Sequence, residues 1–397
     1  YIPEILSRIQ EIETFLLIED DLNENEKKVL DKLSNYTINV YNLIRSVCLK
    51  FGINVPHLNY RNKKFYFKRS KDGITDSFEK VMSSLKGEIG FALIFGKREN
   101  YKDKEDEDAF DYYSPLKSVL FKNNVLSQNF DVANYIEGDG RIDQKTIKYA
   151  VSNIVYNIFG KLGVKFFVLE ENVPYNYILG IDVGYGEAYT SKVAGCTTVH
   201  DSEGRLRNLI PIEKQNYPSK ETARIKALLE EIEQKKKIYN IDFKNKNILI
   251  LRDGHISKEE ISQLIEFSKE RNCEITYIEI RKNVVHQFLE NSTQAYYARI
   301  GDYYILKAHS PRTGFPRAIK IARKIIIKGD VLSKLPLTEN DVILIYKLTA
   351  LNYSTISRDN NLRIPAPIYY ADKLLKAIKR GWKLDEKLLR YGILYFL

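Results

Sequence analysis

Two aspartates stand near the ends of apolar stretches that are typical of buried β-strands. Asp182 lies between two glycines in Tyr177–Gly184, and Asp253 comes just before the glycine that ends Asn247–Gly254. A strand that carries a carboxylate into a packed interior incurs a free-energy cost unless a neighbouring group neutralises the charge. Backbone donors could satisfy each aspartate separately, or the two strands could bring both carboxylates to one edge of a sheet. Carboxylate oxygens gathered in the second way suit a hard cation such as Mg²⁺ or Mn²⁺.

Four polar residues in the first half of the chain have the chemistry of a phosphate site. Tyr113 and Lys117 lie four residues apart, so they share one face of a predicted helix. Gln128 stands at the end of a predicted strand, and Lys161 follows the end of a predicted helix. A tyrosine hydroxyl, an amide and two ammonium groups together can surround a terminal phosphate. Each of them taken alone is an ordinary surface side chain.

The segments that carry the two aspartates follow one another in the order βββαβαβ. The predicted strands span 176–183, 189–199, 205–211, 247–252 and 274–281, and the predicted helices begin at Ser219 and Ser257. An antiparallel meander followed by alternating helices and strands, with acids on the first and fourth strands, is the order of a ribonuclease H-like fold.

Residues 51–172 alternate between predicted strands and helices, with a buried strand over Gly90–Gly96. Such alternation implies a parallel, Rossmann-like sheet. The sequence has no GxGxxG segment, so a dinucleotide site is unsupported. Residues 1–50 are predicted to be a helical segment, because their apolar residues recur at helical spacing. The predicted fold class is therefore α/β: a helical N-terminal segment, a Rossmann-like domain over 51–172 and a ribonuclease H-like domain over 173–397.

Composition and charge indicate which kind of partner and which cellular location to expect. The chain has 397 residues, enough for two or three domains, and its formal net charge of +10 favours an anionic partner, nucleic acid above all. The three cysteines are isolated from one another, which argues against a zinc ribbon or a disulfide framework and favours a cytoplasmic location. No run of 18 apolar residues is present, so no association with a membrane is expected.

The sequence resembles the MID and PIWI domains of the Argonaute family. The segment Arg363–Lys373 is similar to the family's PAPxYYA(H/D) motif, Arg252–Gly254 matches the family's second aspartate motif, and Lys161–Gly163 resembles its KLGG segment. The ending Tyr391–Leu397 is similar to the short apolar C-terminus of Argonautes. The resemblance covers roughly residues 85–397, and it implies a MID domain over 51–172 followed by a PIWI domain.

The resemblance also implies which residues form the sites. The implied catalytic tetrad is Asp182, Glu221, Asp253 and Asp372, with Glu213 as the alternative glutamate, and the three aspartates are the expected ligands of Mg²⁺ or Mn²⁺. The implied pocket for the 5′ phosphate of a guide strand consists of Tyr113, Lys117, Gln128, Lys161 and Leu397. Contacts to the nucleic-acid backbone are expected from Lys307, Arg312, Arg317, Lys320 and Arg323, unless these residues form only a solvated basic strand.

The expected partners are a 5′-phosphorylated guide strand, of DNA or RNA, and a complementary target strand, which the protein would cut. No room is found for the N and PAZ domains, so a partner chain or a missing half could complete the assembly. Two alternatives stay open. The chain could bind guide and target without cutting, or it could be a ribonuclease H-like nuclease or recombinase that uses no guide.

Overall fold

The computed structural model describes most of the chain, and the two halves form separate units. The described residues are 8–59, 63–68, 70–87, 89–97, 113–164, 166–185, 192–216, 225–234, 240–282, 284, 294–308, 318–353 and 362–379. The described residues up to Val164 belong to one compact unit, and those from Phe166 to Lys379 belong to a second. Among the described residues no helix is long and apolar enough to cross a membrane.

The first unit is built on a parallel sheet with the strand order β2-β1-β4-β5, in which β3 also pairs with β1. Its strands are β1 (Glu11–Glu19), β2 (His57–Asn59), β3 (Lys64–Phe67), β4 (Gly90–Gly96) and β5 (Val125–Asp131). Its helices are α1 (Glu24–Lys50), α2 (Lys71–Ser84), α3 (Tyr113–Lys122) and α4 (Gln144–Lys161). Every residue of β4 is buried, as expected for an inner strand of a parallel sheet. The Rossmann-like prediction is confirmed.

The N-terminal segment is only partly helical, which corrects the prediction for residues 1–50. The helix α1 begins at Asn23, whose side chain accepts from the Glu26 amide while Glu26 accepts from the Asn23 amide. Residues Glu11–Glu19, however, form the strand β1, which pairs with β2, β3 and β4. The apolar residues of β1 are buried on both faces, and helical spacing cannot be distinguished from a fully buried strand in so short an apolar run.

The second unit contains a sheet of nine described strands. Eight of them follow the order β11-β12-β13-β10-β9-β6-β7-β8, and the ninth, β14, pairs with β13. Its first strands are β6 (Tyr177–Tyr185), β7 (Lys192–Asp201), β8 (Leu206–Asn216), β9 (Asn247–Asp253) and β10 (Glu274–Arg281). The later strands are β11 (Tyr296–Ile300), β12 (Tyr303–Lys307), β13 (Ile319–Lys328) and β14 (Val331–Leu335). The helices are α5 (Ile225–Gln234), α6 (Lys258–Arg271), α7 (Glu339–Thr349) and α8 (Ala366–Lys379). The predicted order βββαβαβ is confirmed.

Helices cover both faces of this second sheet. Leu179, Ile181 and Ile250 lie in one apolar core with residues of α5 and α6. Successive strand residues point to opposite faces, so Gly180 faces the other way, where it lies against Pro367 at the start of α8. The parallel strands β6, β9 and β10 end at the same edge of the sheet. Side chains near their carboxyl ends therefore converge, and those on the Gly180 face meet α8.

Candidate active site and phosphate pocket

Three aspartates from three separate elements surround one lysine ammonium group. Asp182 lies on β6, Asp253 ends β9 and Asp372 lies on α8. The Nζ atom of Lys282 is 3.2 Å from an Asp182 oxygen, 3.0 Å from an Asp253 oxygen and 3.2 Å from an Asp372 oxygen. The predicted convergence of these carboxylates is therefore present in the geometry. The cation at its centre is a lysine of the same chain.

Lys282 comes directly after β10, and the backbone holds it at the edge of the sheet. Ile280 pairs with Asp253 across the two parallel strands, so Lys282 lies just beyond the end of this ladder. The Lys282 amide donates to Asp253 Oδ1 at 3.3 Å, and the Lys282 carbonyl accepts from the guanidinium of Arg363. Sequence reasoning missed this residue. Its signal was a cation at the carboxyl end of a strand that neighbours an aspartate-bearing strand.

The environment of the cluster shifts the pKa values of its acids in different directions. Burial raises the pKa of Asp182 to about 6, the charges of Asp372 and Asp253 act in the same direction, and Lys282 opposes them. Burial alone would raise the pKa of Asp372, but the hydrogen bond from Lys376 and the charge of Lys282 outweigh it, so that pKa is lowered. Burial disfavours the Lys282 ammonium, yet the three carboxylates raise its pKa. Among the ion pairs that the structure describes here, three carboxylates face two ammonium groups, which favours a further positive charge in the cluster.

The donor set fits a hard divalent cation, although the spacing does not yet match one. Within the described part of the chain, no group of three or more His, Cys, Asp or Glu side chains is arranged to hold a metal ion. The carboxylates are instead spread around the ammonium at ion-pair distances. Carboxylate oxygens directed at one point are the ligands that Mg²⁺ and Mn²⁺ prefer. Asp182, Asp253 and Asp372 would hold such an ion once they moved inward by about an ångström.

The fourth predicted acid is not placed. Glu221 lies outside the described residues. Glu213, the alternative, lies on β8, but its side chain is also outside the described part of the structure. Both therefore stay predictions.

A buried ion pair fixes the end of β9 from the opposite face of the sheet. The Arg252 guanidinium donates to Glu260, and both side chains are almost fully buried. Glu260 also accepts from the Ser257 amide at 2.8 Å, which caps the first turn of α6. The residue next to Asp253 is thus tied to a helix end, and this limits the movement of the aspartate. Breaking one partner of such a pair leaves an uncompensated buried charge.

The start of α8 lies unusually close to β6. A Cβ atom on residue 180 would come within 2.1 Å of the Pro367 carbonyl carbon, so only glycine fits there. The Thr198 hydroxyl donates to the Pro367 carbonyl at 2.8 Å, and the Tyr353 amide donates to the Tyr370 hydroxyl at 2.8 Å. These contacts set the height of α8 above the sheet, and hence the position of Asp372.

We expect Gly180→Ala to destabilise the second unit, because the new methyl group meets backbone atoms that cannot move without shifting α8. Overpacking of this kind costs about 1–3 kcal/mol, which corresponds to a fall in Tm of several degrees. Thermal unfolding followed by circular dichroism measures the change. Gly138→Ala is the matched control, since nothing lies within 4 Å of its added Cβ. Equal melting temperatures for Gly180→Ala and the parent would contradict the close approach.

In the first unit, the structure brings together three of the predicted phosphate-binding residues. Lys161, at the end of α4, is fully buried, and its Nζ donates to the Ser127 carbonyl at 2.8 Å and to Gln128 Oε1 at 2.6 Å. Lys117 on α3 is buried as well. Burial lowers the pKa of Lys161 well below its ordinary value, and the charge of Lys117 lowers it further. Two buried ammonium groups close to each other favour an anion.

The other two members of the predicted pocket are not placed. Tyr113 is the first residue of α3, but its side chain is outside the described part of the structure. Leu397 lies outside the described residues.

Lys307 and Lys320, two of the predicted backbone-binding residues, lie at the edge of the sheet that carries the aspartates, but on its opposite face. The Lys320 ammonium is 3.4 Å from the centre of the Tyr303 ring, and Lys307 is buried with its ammonium 4.9 Å from the Tyr296 ring. Lys320 pairs with Arg281, the residue after Ile280, and Ile280 pairs with Asp253. Alternation therefore puts Lys320 and Asp253 on opposite faces.

The three arginines are the remaining residues that were predicted to contact a nucleic-acid backbone. Arg323 pairs with Glu279, two residues before Arg281, and so shares the face of Lys320. Arg312 and Arg317 lie outside the described residues.

Comparison with known proteins identifies the family. The sequence model of the Piwi domain matches residues 103–383. The chain is 38% identical over 397 residues to the Argonaute protein of Methanocaldococcus jannaschii and 32% identical over 412 residues to that of Pyrococcus furiosus. It is covered completely in both comparisons, and it spans 52% of each of these curated relatives.

Solved structures agree with this assignment. The structure of the M. jannaschii Argonaute in complex with guide DNA matches all of this chain and 52% of its own, with a TM-score of 0.79 and 34% identity. The Clostridium butyricum Argonaute bound to a guide DNA and a target DNA shares the fold, with a TM-score of 0.64 at 18% identity. The chain therefore belongs to the Argonaute family and corresponds to its MID and PIWI portion.

Proposed function

We propose that this chain is the guide-binding and target-cutting portion of an Argonaute, a guide-directed endonuclease. The observation that carries the proposal is the convergence of Asp182, Asp253 and Asp372 on a single cation. Structural ion pairs rarely need three carboxylates from three elements, whereas divalent-ion sites do. Family membership and the guide-DNA complex of the M. jannaschii relative support the same function.

The residues of the cluster have distinct roles in this proposal. When bound, divalent ions would supply a water activated for attack and a positive charge beside the leaving 3′ oxygen of the target strand. Asp182 and Asp253, fixed by adjacent strands, would set the position of the ions. Asp372, on α8, would close the site from above the sheet, and Glu221 is proposed as the fourth acid. The cluster needs no serine or histidine nucleophile for this reaction.

The buried lysines of the first unit support a pocket for the 5′ phosphate of a guide. Lys117 and Lys161 would neutralise the phosphate, and Gln128 would orient the Lys161 ammonium, to which it is hydrogen bonded at 2.6 Å. Tyr113 and Leu397 are proposed as further members of the pocket. Lys307, Lys320 and Arg323, with Arg312 and Arg317, are proposed to contact the strand backbones beyond the sheet edge. Sequence would then be read by base pairing between guide and target.

Binding of the guide phosphate should take up a proton. The pKa of Lys161 lies well below its ordinary value of 10.5, so the free pocket loses this proton at a pH where an exposed lysine keeps it. A bound phosphate favours the ammonium form and raises that pKa again. We therefore expect the affinity for a 5′-phosphorylated strand to fall as the pH rises through the lowered pKa. At a pH above the lowered pKa, calorimetry in two buffers of different ionisation enthalpy should show proton uptake for this strand and none for a 5′-hydroxyl strand.

One observation favours a second candidate, a module that binds guide and target but does not cut. The Lys282 ammonium already lies among the three aspartates, and a site filled permanently in this way would hold no metal. The cytoplasmic location favoured by the isolated cysteines is compatible with both candidates.

A cleavage assay separates the candidates. The chain is loaded with a 5′-phosphorylated guide and given an end-labelled complementary target with Mg²⁺ or Mn²⁺. Guide-directed cutting predicts one product length that shifts when the guide sequence is shifted, and no product with EDTA. Duplex binding without product at any metal concentration would select the silent module. Cutting that ignores the guide would indicate a guide-independent nuclease.

A further inference from the structure

We propose that Lys282 is a positioning residue that holds the three aspartates together before divalent ions bind, and that its ammonium must leave the cluster when they enter. The inference rests on the proposed function, and it adds a built-in competitor for the metal site. The Lys282 ammonium contacts all three carboxylates at 3.0–3.2 Å, so it attracts every aspartate of the cluster. A divalent ion bound by the same oxygens would occupy nearly the same position.

The geometry allows the ammonium to move while its backbone stays in place. The main chain of Lys282 is held on one side by Asp253, through the hydrogen bond of 3.3 Å, and on the other by Arg363. The side chain is 18% exposed, so a path to solvent exists. A lysine has a flexible four-carbon stem that can swing the charge outward without a change of fold. The departure of the ammonium therefore needs only a rotamer change of Lys282.

The exchange also explains the spacing of the carboxylates. Without the ammonium, three partly buried carboxylates would repel one another and move apart. With it, they stay close to the positions that a divalent ion requires. The same attraction lowers the affinity for the ion, because the ion must displace an existing partner. Lys282 would thus keep the site organised and set the metal concentration at which it fills.

Lys376 provides a matched comparison within the cluster. Its ammonium contacts Asp372 at 2.7 Å, but its side chain is 59% exposed on the outer turn of α8. Lys376 and Lys282 both contact the Asp372 carboxylate, but the Lys376 ammonium does not lie between the three aspartates. Removing its charge tests the loss of an ammonium that contacts one carboxylate only, from the exposed side.

The test measures Mn²⁺ binding directly, by loss of the electron paramagnetic resonance signal of the free ion. The proteins are the parent chain, Lys282→Met, Lys282→Gln, Lys282→Arg and Lys376→Met. We expect Lys282→Met and Lys282→Gln to bind Mn²⁺ at least about tenfold more tightly than the parent, because the ion no longer has to displace an ammonium. A tenfold change lies within the usual range of coupling free energies between two binding events. Lys376→Met should change the affinity by less than about threefold, and Lys282→Arg should not tighten it.

Thermal unfolding supplies a second readout that does not depend on cleavage. Lys282→Met and Lys282→Gln should melt below the parent without metal, and Mn²⁺ should raise their melting temperatures more than it raises that of the parent. If one of the two variants does not fold, the other gives the result, because methionine and glutamine remove the same charge in different ways.

The outcomes separate this inference from the proposed function. If the parent cuts its target but neither uncharged variant binds Mn²⁺ more tightly, the role of Lys282 is overturned and the nuclease stands. If these variants bind Mn²⁺ more tightly but no protein cuts, the inference stands and the cleavage proposal fails. If no variant binds Mn²⁺ at all, both are overturned.

Discussion

Replacing Asp182 with asparagine is expected to slow cleavage of the target about a thousandfold or more, while binding of the guide is unchanged. The Asp182 side chain is 8% exposed, and it is the most deeply buried of the three aspartates. Asparagine keeps its shape but removes the charge that would hold a divalent ion. A thousandfold loss corresponds to about 4 kcal/mol of transition-state stabilisation, which is within reach of a metal ligand.

The measurement is single-turnover cleavage of an end-labelled target, together with guide affinity from filter binding. Asp330→Asn is the matched control, because Asp330 is exposed and pairs only with exposed Lys269 among the contacts that the structure describes. The control should cut at the parent rate. Cleavage by Asp182→Asn within about tenfold of the parent would show that the cluster does not carry the chemistry.

The second large effect is expected at Lys161. Lys161→Met should weaken binding of a 5′-phosphorylated strand about ten- to a hundredfold and leave a 5′-hydroxyl strand unaffected. Hydrogen bonds to charged groups contribute about 1.5–3 kcal/mol each, and tenfold in affinity is 1.4 kcal/mol. Without a bound strand, the folded variant should be about as stable as the parent, because the two hydrogen bonds that methionine loses are offset by the lower cost of burying an apolar side chain.

The control for Lys161 is Lys148→Met, on an exposed turn of the same helix α4. Lys148→Met should weaken the binding of both strands slightly and equally, as expected for a charge that contributes only to the electrostatic attraction of the nucleic-acid backbone. Fluorescence anisotropy with paired 5′-phosphate and 5′-hydroxyl oligonucleotides gives both affinities. An equal loss for both strands in Lys161→Met would remove the case for a phosphate pocket.

The sequence alone was sufficient for the parts of the site that local rules determine. Asp182 and Asp253 could be predicted because apolar strands deliver them, and parallel strands end at a common edge. Asp372 could not be deduced from periodicity, since it lies on a helix far along the chain. It came from the resemblance of Arg363–Lys373 to the family motif, and the structure places it against the same lysine.

The missed features depend on long-range geometry. Lys282 follows Arg281 at a strand end, where a lysine is most often solvated, and only the meeting of three elements gives it a role. The helical prediction is wrong for β1, because an apolar run that is buried on both faces of a sheet has no alternation that distinguishes it from a helix. The face of Lys320 depends on a register shift between Glu279 and Ile280, which no pattern in the sequence reveals.

We propose that the three carboxylates hold divalent ions, and anomalous scattering from manganese locates such ions in a crystal. Crystals of the chain with a 5′-phosphorylated guide are soaked in Mn²⁺, and data are collected at the manganese absorption edge. We expect an anomalous peak about 2 Å from carboxylate oxygens of Asp182 and Asp253, with Lys282 displaced from between the aspartates. Saturating Mn²⁺ with no peak at these aspartates, and with Lys282 still bound to all three, would contradict this proposal.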